Sequence, residues 1–320
     1  MKDVKVLVTG ASGFVGEAVV FKLLLGRKFT AVAAVRGATR LHGLCTVMPF
    51  DLTDTQHLPT LDGVQIIIHA AARVHVMNET ASDALAEFRK INVEGTLRLA
   101  RHAAESGVKR FIFISSIKVN GESTALGKSF TADDCPAPAD PYSVSKYEAE
   151  EALKQLGRTT GMEVVIIRPP LVYGPGVKAN FLSMLNWLNK GIPLPLGAIG
   201  NQRSLVAIDN LVDLIITCID HPAAANETFL VSDGEDLSTT RLLQRLALAL
   251  GKRAWLMPLP EGVLKLVALI VGKQAVAQRI CGSLQVDISK NRELLGWIPP
   301  VNMDKAMRQT ASHYLDKQAK

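Results

Sequence analysis

Tyr142 and Lys146, four residues apart in DPYSVSKYEAE, share one face of a helix. A phenol with a reference pKa of about 10 transfers protons poorly at neutral pH, but a neighbouring ammonium stabilises its anion and lowers that pKa. Tyr142 then becomes a usable general acid or base. Ser115 and Ser116 end the apolar run KRFIFISS, at the carboxyl end of an expected strand, where ligands meet an open α/β sheet. The Ser116 hydroxyl can bind the same substrate oxygen that Tyr142 protonates. Ser116, Tyr142 and Lys146 are therefore the expected catalytic residues.

A second constellation stands near the start, where VLVTGASGFVGEAVV sets Gly10, Gly13 and Gly16 between a strand and a helix. The first glycine permits the tight turn, the second lets backbone approach a pyrophosphate, and the third lets helix close on strand. Ser12, Phe14 and Val15 belong to the same expected cofactor turn. About 20 residues on, where an acid would accept hydrogen bonds from the ribose of NAD, stands Arg36. A guanidinium pairs with a 2′-phosphate instead, so NADP(H) is favoured and NAD is the alternative, with Arg40 in support. Asp51, beside Leu52, is placed to reach the adenine amino group. Ala70, Ala71 and Ala72 are small enough to let a cofactor lie on the sheet edge, where Tyr142 and Lys146 complete its contacts. His69 reads as a packing residue of an apolar strand.

The elements that must position these groups alternate from the outset. Strand patterns at 4–10, 30–36, 65–72, 109–116 and 162–170 enclose helix patterns near 14–26, 83–106 and 141–160. That rhythm predicts an α/β chain with a doubly wound parallel sheet of Rossmann type. After about residue 170 it breaks into Pro/Gly-rich loops, so a smaller C-terminal α/β lobe is expected. The expected division is 1–169 for the dinucleotide and 170–320 for the substrate, with a helix near 206–219 returning to the first lobe.

The 320 residues carry a net charge of +6 without any long run of Lys and Arg, which argues against nucleic acid and for anionic small molecules. Cys45, Cys135, Cys218 and Cys281 have no metal-ligand spacing, so reduced, mostly buried thiols and no metal are expected. MKDVKVLVTG enters a strand directly, without a signal-peptide pattern, and a cytoplasmic protein is expected. VLKLVALIVG at 263–272 is too short to span a bilayer and reads as a buried or partner-facing helix.

With these motifs the chain resembles the extended short-chain dehydrogenase/reductases, in the nucleotide-sugar branch of the NAD-dependent epimerase/dehydratase family. TGASGFVG matches TGxxGxxG, ISSIKVNG matches SSxxVYG, PYSVSK matches YxxxK, and IIRPPLVYGPG matches the segment that holds the nicotinamide. The resemblance implies that Pro169 meets the carboxamide through its backbone and that Asn180 and Arg203 meet a substrate diphosphate, joined by Arg279. It also implies a homodimer built on the helices near 83–106 and 141–160. Asn120 replaces the tyrosine of VYG, Lys118 is an unusual charge and a candidate contact to a distinctive substrate, and Leu171 stands where many relatives have asparagine.

The implied reaction moves hydride between nicotinamide and a sugar carbon while Tyr142 transfers a proton. Arg36 inclines the expectation to an NADPH-dependent reductase of the C4 keto group of a UDP-linked 6-deoxy-N-acetylhexosamine, for surface polysaccharide precursors. The alternative is an NAD-dependent 4-epimerase of a UDP-linked glucose or N-acetylglucosamine. A catalytically silent NADP-sensing protein is a third reading, opposed by the presence of all three catalytic groups.

Overall fold

The structure, a computed structural model, describes residues 4–74 and 83–319. Seven strands form one parallel sheet: β1 (Val4–Thr9), β2 (Phe29–Val35), β3 (Thr46–Pro49), β4 (Val64–His69), β5 (Arg110–Ile114), β6 (Glu163–Arg168) and a late strand, Thr228–Leu230. Their order is β3-β2-β1-β4-β5-β6 followed by Thr228–Leu230. The order reverses between β1 and β4, so the crevice above Thr9 and His69 is the switch point at which open α/β sheets bind ligands.

Side chains two apart on a strand fall on one face, and the two faces have separate cores. Val6 and Val8 of β1 pack with helix α1 (Phe14–Gly26) through Val19, Val20 and Leu23. Leu7 faces the other way, into the cluster of Ile67, Phe111 and Phe113. That cluster is covered by a long helical stretch, α2 (Ala84–Phe88), a π-helical turn (Arg89–Gly95) and α3 (Thr96–Glu105), and by α4 (Pro141–Thr160). Strands buried on both faces explain the nearly continuous Val/Ile/Ala runs.

The expected strand 65–72 ends at His69. Gly10 turns away at φ +65°, removing the partner strand, and Ala70 makes the last bond to the Thr9 carbonyl, at 3.3 Å. The turn is tight: a Cβ on Gly16 would lie 2.3 Å from the Gly10 oxygen, backbone against backbone. Gly16→Ala is accordingly expected to cost about 1–3 kcal/mol, the range for overpacking a close contact; an unchanged thermal midpoint would contradict it.

The second lobe is built on a three-stranded sheet of β7 (Leu171–Tyr173), β8 (Arg203–Ala207) and a short antiparallel strand, Asp236–Leu237. Helices α5 (Ala179–Asn189), Thr239–Ala249 and Met303–Gln318 pack on it through Phe181, Leu185, Leu246 and Met307. The helix expected at 206–219 is α6 (Ile208–Asp220), packed against α1. Val206 and Ala207 instead pair with Val172 and Tyr173 in β8, because a buried strand running into a buried helix keeps the apolar pattern unbroken.

The segment 263–272 lies mostly in helix α8 (Glu261–Ile270), which follows α7 (Thr239–Ala249) and precedes α9 (Gln274–Cys281), α10 (Ser289–Leu295) and α11 (Met303–Gln318). Within the chain it is not buried: Ala268 is its one buried residue. Among the thiols, Cys218 and Cys281 are buried, Cys45 is half-buried and Cys135 is exposed.

Candidate active site

Helix α4 starts from a capping box. Asp140 accepts the Ser143 amide at 2.7 Å, the Ser143 hydroxyl accepts the Asp140 amide at 3.0 Å, and Pro141 takes the first turn. This start fixes the register of Tyr142, Lys146 and Glu150, which lie one turn apart on one face.

Lys146 points inward: its Nζ donates to the Ile114 carbonyl at 2.8 Å and lies 4.3 Å from the centre of the Phe113 ring. Burial pulls its pKa down to about 7, and the Glu150 charge acts in the opposite direction. Glu150 is itself fully buried, and Arg168 on β6 donates to both its oxygens, with Nη2 at 2.6 Å and Nε at 3.0 Å. Glu150 also accepts the Ser115 hydroxyl. Arg168 donates further to the Asn120 side-chain oxygen Oδ1 at 2.9 Å, and Asn120 Nδ2 donates to the Thr131 backbone carbonyl. Asn120 therefore serves this buried network.

The phenol of Tyr142 is pushed up to about 12, first by burial and then by the Asp140 charge, while the Ser116 hydroxyl facing it acts to lower the pKa. The expectation that Lys146 lowers this pKa is corrected, because the ammonium is directed at Ile114 and Phe113. A phenol held protonated is suited to give a proton to a developing oxyanion. Ser116 caps a 3-10 turn, Ile117–Val119. Lys118 in that turn pairs with Asp140 and, at 3.2 Å, with Glu122. The ion pair ties the Ser116 turn to the start of α4, so Lys118 helps hold Ser116 at the phenol.

At the switch point, Gly13 is the N-cap of α1 and has no side chain to cap it, so the first-turn amides at Phe14, Val15 and Gly16 face the crevice for an anion. Ser12 and Gly13 are exposed there and Ala70, Ala71 and Ala72 are half-buried. A Cβ on Gly10 would lie 2.7 Å from the Ala71 amide nitrogen, which keeps the floor of backbone and small side chains close. This cradle fits a dinucleotide pyrophosphate. The Pro169 carbonyl accepts the Ile117 amide at 3.0 Å and keeps a second lone pair.

Arg36 and Asp51 line one cavity of about 440 Å³ with Pro49, Phe50 and Leu58. Arg36 is exposed and makes no hydrogen bond or ion pair among the described residues, while its charge helps lower the Asp51 pKa after the Thr53 amide. Leu52 is buried against Gly95 of the π-helical turn, where a Cβ would meet the Leu52 oxygen at 2.7 Å. Arg40 does not stand free beside Arg36: it is bonded to both Glu17 oxygens at 2.7 Å. Its expected support for a second phosphate is corrected accordingly.

In the second lobe the Arg203 guanidinium donates to the carbonyls of Arg279 and Gly282 at 3.1 and 3.0 Å. Burial and then the Arg279 charge lower its pKa. Two neighbouring cations suit a diphosphate. Asn180 is exposed at the start of α5, after Ala179 at φ +52°, and Leu171 is exposed on β7. No described contact joins Asn180 to the two arginines.

Sequence reasoning missed Asn92, Glu150 and Arg168. Asn92 is buried in the π-helical turn; its side chain accepts the Arg73 amide at 2.8 Å and donates to the Arg73 carbonyl and to the Ser145 hydroxyl at 3.1 and 3.0 Å. It thus joins the edge after Ala70–Ala72 to the helix of Lys146. Glu150 was readable as the next residue of the Tyr142–Lys146 stripe. Asn92 had no such signal, since π-turns are rare and lack a period of their own. His69 is held as expected: Thr9 and Thr96 bond its two nitrogens at 2.7 and 3.0 Å, and burial lowers its pKa to about 3.

Residues 6–232 match the model of the NAD dependent epimerase/dehydratase family. Over 313 residues the chain is 49% identical to a UDP-glucose 4-epimerase of Vibrio cholerae, covering 97% of this chain and 95% of that protein. It is 26% identical to an N-acetyl-alpha-D-glucosaminyl-diphospho-ditrans,octacis-undecaprenol 4-epimerase of Escherichia coli O157:H7, covering 96% and 94%. In fold it is similar to UDP-glucuronic acid 4-epimerase of Bacillus cereus in complex with NAD, with a TM-score of 0.78 at 20% identity over 98% of this chain and 99% of that one.

Proposed function

From the premise that this chain belongs to the NAD dependent epimerase/dehydratase family, we propose that it interconverts the C4 epimers of a UDP-linked glucose or N-acetylglucosamine. Its chemistry is of the nucleotide-sugar epimerase/dehydratase type. The observation that carries the reading is the Ser116 hydroxyl set against the Tyr142 phenol, with the buried Lys146 one turn along the same face of α4.

A nicotinamide cofactor, when bound, supplies the acceptor and donor of the C4 hydride. Gly10, Ser12, Gly13 and the first-turn amides of α1 would hold its pyrophosphate, Asp51 its adenine, and Pro169 its carboxamide. Ser116 hydrogen-bonds the C4 oxygen, and Tyr142 gives its proton to that oxygen as a 4-keto group returns to an alcohol. The oxidative half-reaction, which comes first for a saturated sugar, needs Tyr142 as phenolate to take the C4 hydroxyl proton, and the raised pKa makes this the harder half. Lys146, held at a pKa of about 7, supplies partial positive charge near neutral pH. Arg203 and Arg279 bind the diphosphate, with Asn180 at the rim. Self-association through the Ala84–Glu105 and Pro141–Thr160 helices belongs to the same reading.

One observation favours a second reading, an NADPH-dependent reductase of a UDP-4-keto-6-deoxy-N-acetylhexosamine. Among the described residues Arg36 makes no hydrogen bond or ion pair, and it lines the Asp51 cavity, which supports its pairing with a 2′-phosphate. The purified protein separates the two. Conversion of UDP-N-acetylglucosamine or UDP-glucose to the C4 epimer without added cofactor supports the epimerase. Loss of NADPH in proportion to a UDP-4-keto-sugar, with no epimerisation, supports the reductase. Arg36→Asp is expected to weaken NADPH relative to NADH by about ten- to a hundredfold, the value of a charged hydrogen bond. An unchanged ratio removes the case for the second reading.

A further inference from the structure

Helix α8 turns its apolar face outward. Val263, Leu266, Val267 and Ile270 recur at the spacing of one helical stripe, and all are exposed, Leu266 at 57% and Ile270 at 75%. Leu269 and Val271 widen the face, and the buried Ala268 with the half-buried Leu264 one turn before it forms the inward side. Beside it, the loop from Trp255 to Met257 adds two more exposed apolar side chains, with Trp255 60% exposed and Arg253 over its ring at 5.7 Å. The loop is fastened to the lobe by the Leu194–Trp255 and Met257–Leu194 backbone bonds, and α8 by the bond from the Gly200 amide to Glu261 at 3.0 Å.

Charge decides what covers this face. Lys252 and Arg253 beside the Trp255 loop and Lys273 at the end of α8 are exposed and make no ion pair among the described residues, while Glu261, the single acid of residues 252–281, is engaged by Gly200 and by Lys265 on the side of α8 away from the stripe. A two-fold contact between copies would lay this basic face on itself, like charge on like. An anionic lipid surface complements it, and a tryptophan among apolar and basic side chains suits the boundary between headgroups and acyl chains. Among the described residues no helix is long and apolar enough to cross a membrane, so the contact is with the surface. We propose that the outward face of α8, with the Trp255 loop, docks the protein on anionic membrane surfaces.

The test is sedimentation of the full chain with vesicles of phosphatidylcholine containing phosphatidylglycerol, and with vesicles of phosphatidylcholine alone. The protein is expected to sediment with the anionic vesicles and to be released by salt. Leu266→Asp with Ile270→Asp should abolish binding; both positions are exposed, so the thermal midpoint and the turnover of UDP-sugar should stay at the wild-type values. Lys252→Gln and Lys273→Gln should each weaken binding about fivefold, the equivalent of about 1 kcal/mol per basic residue near the surface. Wild type that ignores anionic vesicles, or apolar variants that bind as well as wild type, would overturn the proposal. So would a wild-type oligomer, inert to vesicles, that the double aspartate variant converts to monomer, since the face would then join copies of the chain.

Discussion

Tyr142→Phe is expected to lower turnover by about 10²–10⁴-fold, the usual contribution of a positioned proton donor, with little change in substrate affinity. The phenol is the group that faces Ser116, and its pKa of about 12 keeps the proton in place through the neutral range. The ring is fixed independently of its hydroxyl, with Phe88 edge-on at 5.9 Å, so phenylalanine should keep the packing. The measurement is steady-state turnover together with equilibrium binding of UDP-sugar. Full turnover in the variant would remove Tyr142 from the chemistry and with it both readings of the reaction. Ser116→Ala should have a smaller effect, because the serine shares the oxygen but moves no proton in the scheme.

The largest loss of stability is expected from Glu150→Gln. Its carboxylate is fully buried and is met by Arg168 and Ser115, so neutralising it leaves the Arg168 guanidinium buried without its counter-charge. Breaking such a pair from one side costs about 3–5 kcal/mol. Replacing both residues, as in Glu150→Met with Arg168→Met, should recover part of that loss, because no uncompensated charge remains. A functional signature separates this from structural damage alone. The Glu150 charge opposes the burial that brings Lys146 down to about 7, so its removal should move the Lys146 titration to still lower pH. Where the folded variant can be assayed, the pH dependence attributable to a charged Lys146 should shift toward acid. A denaturation midpoint equal to wild type would overturn the stability argument, and an unmoved pH profile would show that Glu150 does not tune the lysine.

Much of the scaffold was legible because its signals are local. Apolar runs bounded by turns mark the sheet strands, and the helix expected near 141–160 is α4, Pro141–Thr160. The glycine turn was legible because Gly10 needs a positive φ and Gly16 a close approach to backbone. Boundaries slipped where tertiary partners decide them. Thus β4 stops at His69 because its neighbour turns away at Gly10, and α6 begins late because Val206 and Ala207 are claimed by β7.

The site was legible as a set of residues and much less as a state of charge. Sequence alone determined the order of elements, the glycine cradle, and the spacing that brings Tyr142 and Lys146 to one helical face, since backbone period and turn sterics are properties of neighbouring residues. Only the tertiary structure decided that Lys146 faces Ile114, that Arg40 belongs to Glu17, that Lys118 clamps Asp140, and that α8 is left uncovered. The physical reason is that charge pairing, desolvation and burial depend on residues that are distant in the chain and become neighbours when it folds.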